Sequence, residues 1–316
     1  MTPVDWISAP LVATGLGIGI LVGLTGMGGG ALMTPILVFF FGVSASTAIA
    51  SDLVVSLFMK PVGGAVHLIR RTADLRLVGL LCAGSVPFAF LGAMCTALIP
   101  TDVVQPVLLV LVGCALLLAS AGLIARAWMQ MVRRRSPFGE GPTPLTRPTQ
   151  RFAPAATIVL GAVAGFIVGL TSVGAGSIII VVLLLLYPKL RASQLVGTDL
   201  VQAVPLVASA ALGHALLGTV SLSIAGSVLV GAIPGVLIGS WLAVRAPGGI
   251  IRRVLAIVLM ASGMKLVGVP TVWVLVAGGA ALVGGNVLWL VAKRRYATSH
   301  AVAAGVPGPA PGRTRR

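Results

Sequence analysis

Apolar residues fill most of the chain in long runs that are separated by short polar or glycine-rich breaks. Runs of about 20 apolar residues are typical of transmembrane helices, whereas a β-barrel shows alternating segments of about ten residues. We therefore predict an all-α polytopic membrane protein. Its predicted segments are residues 10–24, 27–41, 45–69, 77–98, 104–126, 155–170, 174–187, 193–216, 221–243, 249–268 and 271–292.

Four of these segments are short, and they form two pairs that flank glycine-rich stretches. The stretches are GLTGMGGG at residues 23–30 and GLTSVGAG at residues 169–176. A helix of about fifteen residues rises about 22 Å, which is less than the roughly 30 Å hydrocarbon core of a bilayer. Each pair is therefore predicted to form a hairpin of broken or re-entrant helices.

The two glycine stretches belong to an internal repeat. ASDLV at residue 50 matches GTDLV at residue 197, His67 matches His214, and GSVPFAFLG at residue 84 matches GAIPGVLIG at residue 231. The matched features follow in the same order at nearly constant spacing, with one residue inserted after the glycine stretch. The sequence thus predicts two related halves.

A polar, basic segment rich in proline and glycine, RRRSPFGEGPTPLTRPTQR at residues 133–151, is typical of a flexible linker between the halves. The last residues, after Tyr296, are expected to be disordered. The predicted organisation is a first repeat over 1–126, a cytoplasmic linker over 127–153, a second repeat over 154–268, an extra helix over 269–292 and a cytoplasmic tail over 293–316.

The chain has a net charge of +16, although only 9% of its residues are charged and 58% are hydrophobic. Its arginines cluster in the segments between the apolar runs. This distribution indicates cytoplasmic loops rather than a nucleic-acid surface. The basic loops lie near residues 70–76, 126–151, 188–191 and 245–253 and in the tail. Placing them all in the cytoplasm puts the N-terminus outside and the C-terminus inside a bacterial-type plasma membrane.

This topology makes the halves inverted repeats. Segment 45–69 would run from outside to inside, whereas its partner 193–216 would run from inside to outside. Inverted halves with interrupted helices at corresponding positions are typical of secondary transporters, whose substrate site lies near the midplane. We therefore expect alternating access, in which the halves exchange conformations.

The glycine stretches are candidate substrate-binding turns. Glycine allows a sharp turn and a close ligand approach, and the free N–H groups of the helix that follows attract an anion. The alternative is helix packing through small residues, for which Gly19 and Gly23, and likewise Gly26 and Gly30, have suitable spacing. The candidate binding residues in the turns are Thr25, Gly26, Gly28, Gly29, Gly30, Thr171, Ser172, Gly174 and Gly176, with Ser177 as a further hydroxyl.

Ionisable residues within apolar segments are functional candidates, and here they are Asp52, Lys60, Asp199 and, near a segment end, Lys265. Either aspartate could carry a coupling proton, because burial favours the neutral form of a carboxyl group. Lys60 could attract the substrate or neutralise Asp52. A structural ion pair, or a helix N-cap at each aspartate, is the alternative.

Other chemistry receives less support from the residues. Near helix ends, His67 and His214 are expected to cap rather than to relay protons. The three cysteines lie in apolar segments without a CxxC pair and are expected to be buried hydrophobic residues, so no metal or other cofactor is predicted. The first apolar run is expected to belong to the mature protein, since no basic region precedes it.

Three alternatives to an anion transporter differ in their sequence requirements. A proton-coupled cation or metal carrier would use Asp52 and Asp199, but the apolar segments contain few carboxylates. An intramembrane enzyme would need a motif such as HExxH or a Ser–His pair, and neither is recognisable. A non-catalytic assembly factor would not require matched helix breaks. A homo-oligomer is compatible with the sequence.

Over residues 10–292 the chain resembles the TauE/SafE family of sulfite and organosulfonate exporters. The resemblance implies transport of a small sulfur-containing anion such as sulfite, sulfoacetate or another sulfonate. It also favours the two glycine turns with Asp52, Lys60 and Asp199 as the site. The second turn has fewer glycines than the first, so equivalent binding by both turns is not implied. The features that carry the resemblance are GLTGMGGGALMTP, TAIASDLVVSLFMKPVGGAVHLIRRTADLRLV, LVGTDLVQAVPLVASAALGHALLGTVSL and GAIPGVLIGS.

Overall fold

The structure is a computed structural model that describes residues 7–25, 29–134, 153–173, 175–187, 190, 192–243 and 248–281. Apolar helices dominate these ranges, as the sequence predicts. The helices are α1 (Ala9–Thr25), α2 (Gly30–Phe41), α3 (Ala45–Ile69), α4 (Leu75–Cys95), α5 (Thr101–Arg134), α6 (Pro154–Thr171), α7 (Ala175–Leu186), α8 (Ala192–Leu216), α9 (Leu222–Ala243) and α10 (Gly248–Leu266). Among the described helices, α3, α4, α5, α6, α8 and α9 are long and apolar enough to cross a membrane.

The chain forms two compact units, Met1–Val269 and Pro270–Arg316. The second unit contains one described apolar helix, α11 (Thr271–Ala281). The rest of the predicted final helix, the predicted tail and most of the predicted linker lie outside the described residues.

Most helix boundaries agree with the predicted segments to within a few residues, and two helices differ in an informative way. Helix α5 continues to Arg134, past the predicted end at residue 126. Helix α6 has 18 residues and rises about 27 Å, so it is long enough to span, whereas α7 has 12 residues and rises about 18 Å. The second pair therefore consists of one nearly full span and one short return helix.

The second pair is a hairpin, because its two ends lie side by side. The fully buried Tyr187 follows α7, and its hydroxyl hydrogen-bonds Thr157 Oγ1 at 2.7 Å in the first turn of α6. The same hydroxyl accepts a bond from Ala153 N at 3.3 Å. The chain thus returns to the side at which α6 begins, as the sequence predicts.

The two halves interlock through corresponding helices. Helix α1 of the first half packs along α9 of the second, and α6 packs along α4 in the same way. The corresponding helices α3 and α8 run antiparallel, because Gly64 lies against Leu200 while Gly197 lies against His67. The halves are therefore inverted with respect to each other.

Glycines allow the interlocked helices to approach closely. At Gly15, Gly19 and Gly23 of α1, an added Cβ atom would overlap backbone oxygens of α9. Gly161, Gly165 and Gly169 of α6 meet α4 in the same way. Small residues at this four-residue spacing let membrane helices pack backbone against backbone. The packing role that the sequence offered for Gly19 and Gly23 is thus their role in the structure.

A matched pair of substitutions in α1 tests this packing. Gly19→Ala should lower the apparent Tm of the purified protein by about 3 °C or more, because its methyl group would overlap Ala232 O, and overpacking costs about 1–3 kcal/mol. Gly17→Ala should leave the Tm unchanged or slightly higher, because nothing lies within 4 Å of its added Cβ. Equal thermal-shift curves for the two variants would contradict the packing assignment.

Candidate functional site

The breaks in the two hairpins meet at a buried polar centre. Gly30 opens α2 after the first break, and Ser172 follows α6 at the second break. A Cβ atom added to Gly30 would overlap Ser172 O and would lie 2.7 Å from Asp52 Oδ2. Ser172 Oγ donates a hydrogen bond to the same carboxyl oxygen. Asp52 of α3, fully buried, thus joins both hairpins.

Local sequence explains how Ser172 reaches this position. Its left-handed backbone conformation (φ 58°) ends α6, and its N–H donates to Val168 O at 2.7 Å. A non-glycine residue seldom adopts this conformation, which costs of the order of 1 kcal/mol or more. The neighbouring Thr171 donates to Ile167 O at 2.7 Å, so its hydroxyl serves the turn rather than the polar centre.

The second repeat has a corresponding arrangement. Asp199 of α8 lies beside Gly176 in the first turn of α7, and a Cβ atom added to this glycine would lie 2.7 Å from Asp199 Oδ2. Gly176 corresponds to Gly30 in the repeat, as Asp199 corresponds to Asp52. Helices α3 and α8 begin at Ala45 and Ala192, so neither aspartate is a helix N-cap.

Lys60 connects the two carboxyl groups electrostatically. It lies two turns after Asp52 on α3 and is close enough to interact with both Asp52 and Asp199. The residue at the matching place in the second repeat is Val207, so the cation is supplied by one half alone. The centre therefore combines two carboxyl groups, one ammonium group and two helix starts.

Several buried polar atoms on α2, α3 and α8, the helices that carry Gly30, Asp52 and Asp199, have no hydrogen-bond partner within the described ranges. They are Thr34 Oγ1, Ser51 Oγ, Asp52 Oδ1 and Gln202 Nε2. Thr34 lies one turn after Gly30 on α2, and Ser51 precedes Asp52. An unpaired polar group buried in an apolar protein costs free energy that a ligand can offset.

Gln202 was not among the residues selected from the sequence. Its side chain is fully buried and its Oε1 accepts a hydrogen bond from Ser85 Oγ of α4 at 3.2 Å. Outside the glycine turns the sequence criterion was an ionisable group within an apolar segment, and an amide does not meet it. The available signal was a polar residue one turn after Asp199 in an apolar helix.

The two histidines lie at helix ends and make matching local bonds. His67 Nδ1 hydrogen-bonds Thr72 Oγ1 at 2.7 Å, and His214 Nδ1 pairs with Thr219 Oγ1 at 3.3 Å. His214 also donates from Nε2 to Gly169 O at 2.9 Å, which ties α8 to the last turn of α6. Both rings thus help to terminate helices, the role that the sequence favours.

The remaining candidates lie apart from the polar centre or outside the described structure. Gly29 is in ordinary contact with Val22 and Met59, the nearest atoms lying 3.7–3.8 Å from its added Cβ. Gly26, Gly28 and Gly174 lie outside the described residues, as do the side chains of Thr25 and Ser177. Within the described ranges, no three His, Cys, Asp or Glu side chains form a group that could hold a metal ion.

Several apolar helices long enough to span, with inverted halves and a polar centre at matched breaks, define a multi-pass membrane transporter rather than an enzyme. The model of the family described as sulfite exporter TauE/SafE matches residues 11–266. The chain is 36% identical over 266 residues to a "Probable membrane transporter protein YjnA" of Bacillus subtilis (strain 168), covering 82% of this chain and 100% of that protein. No solved structure matches this chain. The chain belongs to the TauE/SafE family.

Cross-linking tests whether the breaks meet in the membrane. The pair Asp52→Cys and Ser172→Cys, in a background without the three natural cysteines and with a protease site inserted into the linker at residues 141–150, should form a link upon oxidation. A short thiol-specific cross-linker should give the same product. After cleavage, the halves should then stay together on a denaturing gel.

The single-cysteine variants are the controls and should separate into two fragments. Separation of the oxidised double variant, with both thiols shown to be reactive, would place the breaks apart.

Proposed function

We propose that this transporter moves a small anion, most specifically a sulfur-containing oxyanion or organosulfonate such as sulfite or sulfoacetate, by alternating access. The observation that carries the proposal is the meeting of Gly30, Ser172 and Asp52, with Lys60 in electrostatic reach. Membership in a family described as sulfite exporters supports the substrate class.

The chemistry of the centre suits a small oxyanion. Helix starts present N–H groups and a positive dipole end, and unpaired hydroxyl and amide groups are further donors. Thr34, Ser51 and Gln202 supply such groups from α2, α3 and α8. Protonated Lys60 supplies a positive charge without the bulk of an arginine. Of the turn residues selected from the sequence, Gly30, Ser172 and Gly176 remain proposed binding residues.

The two aspartates are the proposed proton-coupling groups. Asp52 is fully buried and Asp199 is 7% exposed, so each lies where an uncompensated charge is costly. A proton taken up on one side of the membrane and released on the other would link substrate movement to the proton gradient.

A proton-coupled cation carrier is the second candidate, and one observation favours it. The centre contains two carboxyl groups against one lysine, and Asp52 Oδ1 has no hydrogen-bond partner among the described residues. Flux of monovalent and divalent cations in the assay below distinguishes the two. Cation flux without anion flux would support the carrier of cations.

The proposed orientation has the N-terminus outside and the basic loops in the cytoplasm. Labelling of single cysteines in intact cells with a membrane-impermeant thiol reagent tests it. Arg71→Cys and Lys189→Cys should both be protected, whereas Ser44→Cys in the uncharged α2–α3 loop should be labelled. Labelling of Arg71→Cys and protection of Lys189→Cys, or the reverse, would contradict the inverted topology.

A substrate-competition flux assay tests the transport proposal. Proteoliposomes should take up labelled sulfite, and sulfoacetate and other small sulfonates should compete more strongly than chloride or nitrate. Absence of flux for every small anion tested would contradict an anion transporter.

Lys60→Gln should lower anion flux by about thirtyfold. A unit charge roughly 8 Å from the substrate contributes about 2 kcal/mol at an effective dielectric constant of 20. Lys60→Arg should restore part of the flux, because it keeps the charge.

The matched control is Lys265→Gln, which removes an exposed lysine at the end of α10 and should keep flux within about twofold of the unmodified protein. Full flux in a folded Lys60→Gln variant would remove Lys60 from the site.

A further inference from the structure

We propose that Asp52 and Asp199 are tethered anions: in the absence of substrate their carboxylates occupy the N-terminal ends of α2 and α7. A substrate anion then enters only when protons neutralise both carboxylates. This inference rests on the proposed function and specifies its coupling. The observation behind it is the repeated contact of a carboxyl oxygen with a glycine in the first turn of the return helix, Gly30 in α2 and Gly176 in α7.

At the first break the carboxyl group lies where a ligand would be expected. Leu32 and Met33 already donate their N–H groups to Gly29 O at 3.0 and 3.1 Å. The N–H groups of Gly30 and Ala31 therefore precede the first helical bonds of α2, and Asp52 Oδ2 lies against Gly30.

The carboxyl group of Asp52 also has the properties of a bound anion. It is fully buried, and Oδ2 accepts a hydrogen bond from Ser172. Its Oδ1 has no hydrogen-bond partner among the described residues. A carboxylate and a free oxyanion are attracted to a helix start by the same dipole and the same N–H groups. The two therefore compete for one position.

The charge of the centre gives the sign of the coupling. Among the described residues, the charged group that acts on Asp52 is Lys60 on its own helix, and Lys60 also acts on Asp199, whereas α2 and α6 contribute the uncharged Gly30 and Ser172 to the surroundings of Asp52. With both carboxyl groups ionised the three residues sum to one negative charge, which repels an anion. One proton on each aspartate reverses that sign.

The proton cycle balances without any other reactant. Water on the entry side supplies a proton to an oxygen of each aspartate, the neutral side chains yield the helix starts to the anion, and the protons and the anion are released on the opposite side. Protons and the substrate anion therefore move in the same direction, and two protons with each monovalent anion carry one net positive charge across the membrane.

Exchange of labelled methanesulfonate tests this inference, because this anion keeps its charge across the pH range used. With equal pH on both sides of the proteoliposome membrane, the unmodified protein should exchange it at least tenfold faster at pH 5.5 than at pH 8.5. The Asp52→Asn/Asp199→Asn double variant should exchange at the acid rate throughout and should no longer accumulate anion in response to a pH gradient.

Asp74→Asn is the matched control. Asp74 caps α4 outside the polar centre by accepting bonds from Arg76 N and Leu77 N, and asparagine keeps that capacity. This variant should retain the pH dependence of the unmodified protein. If the double variant does not fold, each single Asp→Asn variant should show about half of the loss in slope.

The outcomes separate the two levels of the proposal. A folded double variant that keeps the original pH dependence, or that fails to exchange at every pH, overturns the tethered-anion inference. Failure of the unmodified protein to exchange methanesulfonate, sulfite and sulfoacetate at any pH overturns both this inference and the proposed anion transport.

Discussion

A helix that stops inside an apolar layer leaves backbone N–H and C=O groups that water cannot reach, and the centre of this transporter is organised by that constraint. At the second break, Ser172 adopts a left-handed conformation and lies against Gly30 of the first break. The hydroxyl of Ser172 donates a hydrogen bond to Asp52. The polar groups of one interruption thus meet those of the other across the boundary between the halves. A site made in this way depends on the relative position of the halves, which makes it sensitive to their movement.

The glycines of the chain divide into two structural classes that share similar sequence surroundings. Gly15, Gly19 and Gly23 bring α1 against α9 and hold the halves together, whereas Gly30 lets a carboxyl group approach the start of α2. The division has a physical origin, since a glycine within a continuous helix exposes its Cα to the neighbouring backbone, while a glycine at a helix start lies beside the free N–H groups. Close packing along the helix faces and an open approach to a helix start can therefore coexist within a few residues.

Much of this architecture follows from the sequence because hydrophobic length and the repeat are strong signals. The segment predicted at residues 45–69 is helix α3 with the same limits, and the matched motifs identify the corresponding helices. The contact between Asp52 and Ser172 could not be predicted, because it joins unmatched residues of different halves. The extension of α5 to Arg134 was missed because basic residues at a membrane edge favour neither a helix nor a loop on polarity alone. Gln202 escaped because its importance lies in burial and an unpaired amide group, which are properties of the fold.

The Ser172 hydroxyl has no equivalent in the first half, where the matching residue is Gly26 and lacks a side chain. The two halves are thus related in shape but not in bonding. Lys60 adds to the difference, because the matching residue of the second half is the uncharged Val207. Under alternating access, the inward-open and outward-open forms of such a protein would differ in free energy even without a substrate. A built-in bias of this kind would give the two faces of the transporter different apparent affinities and maximal rates, while the gradients alone would set the direction of net movement.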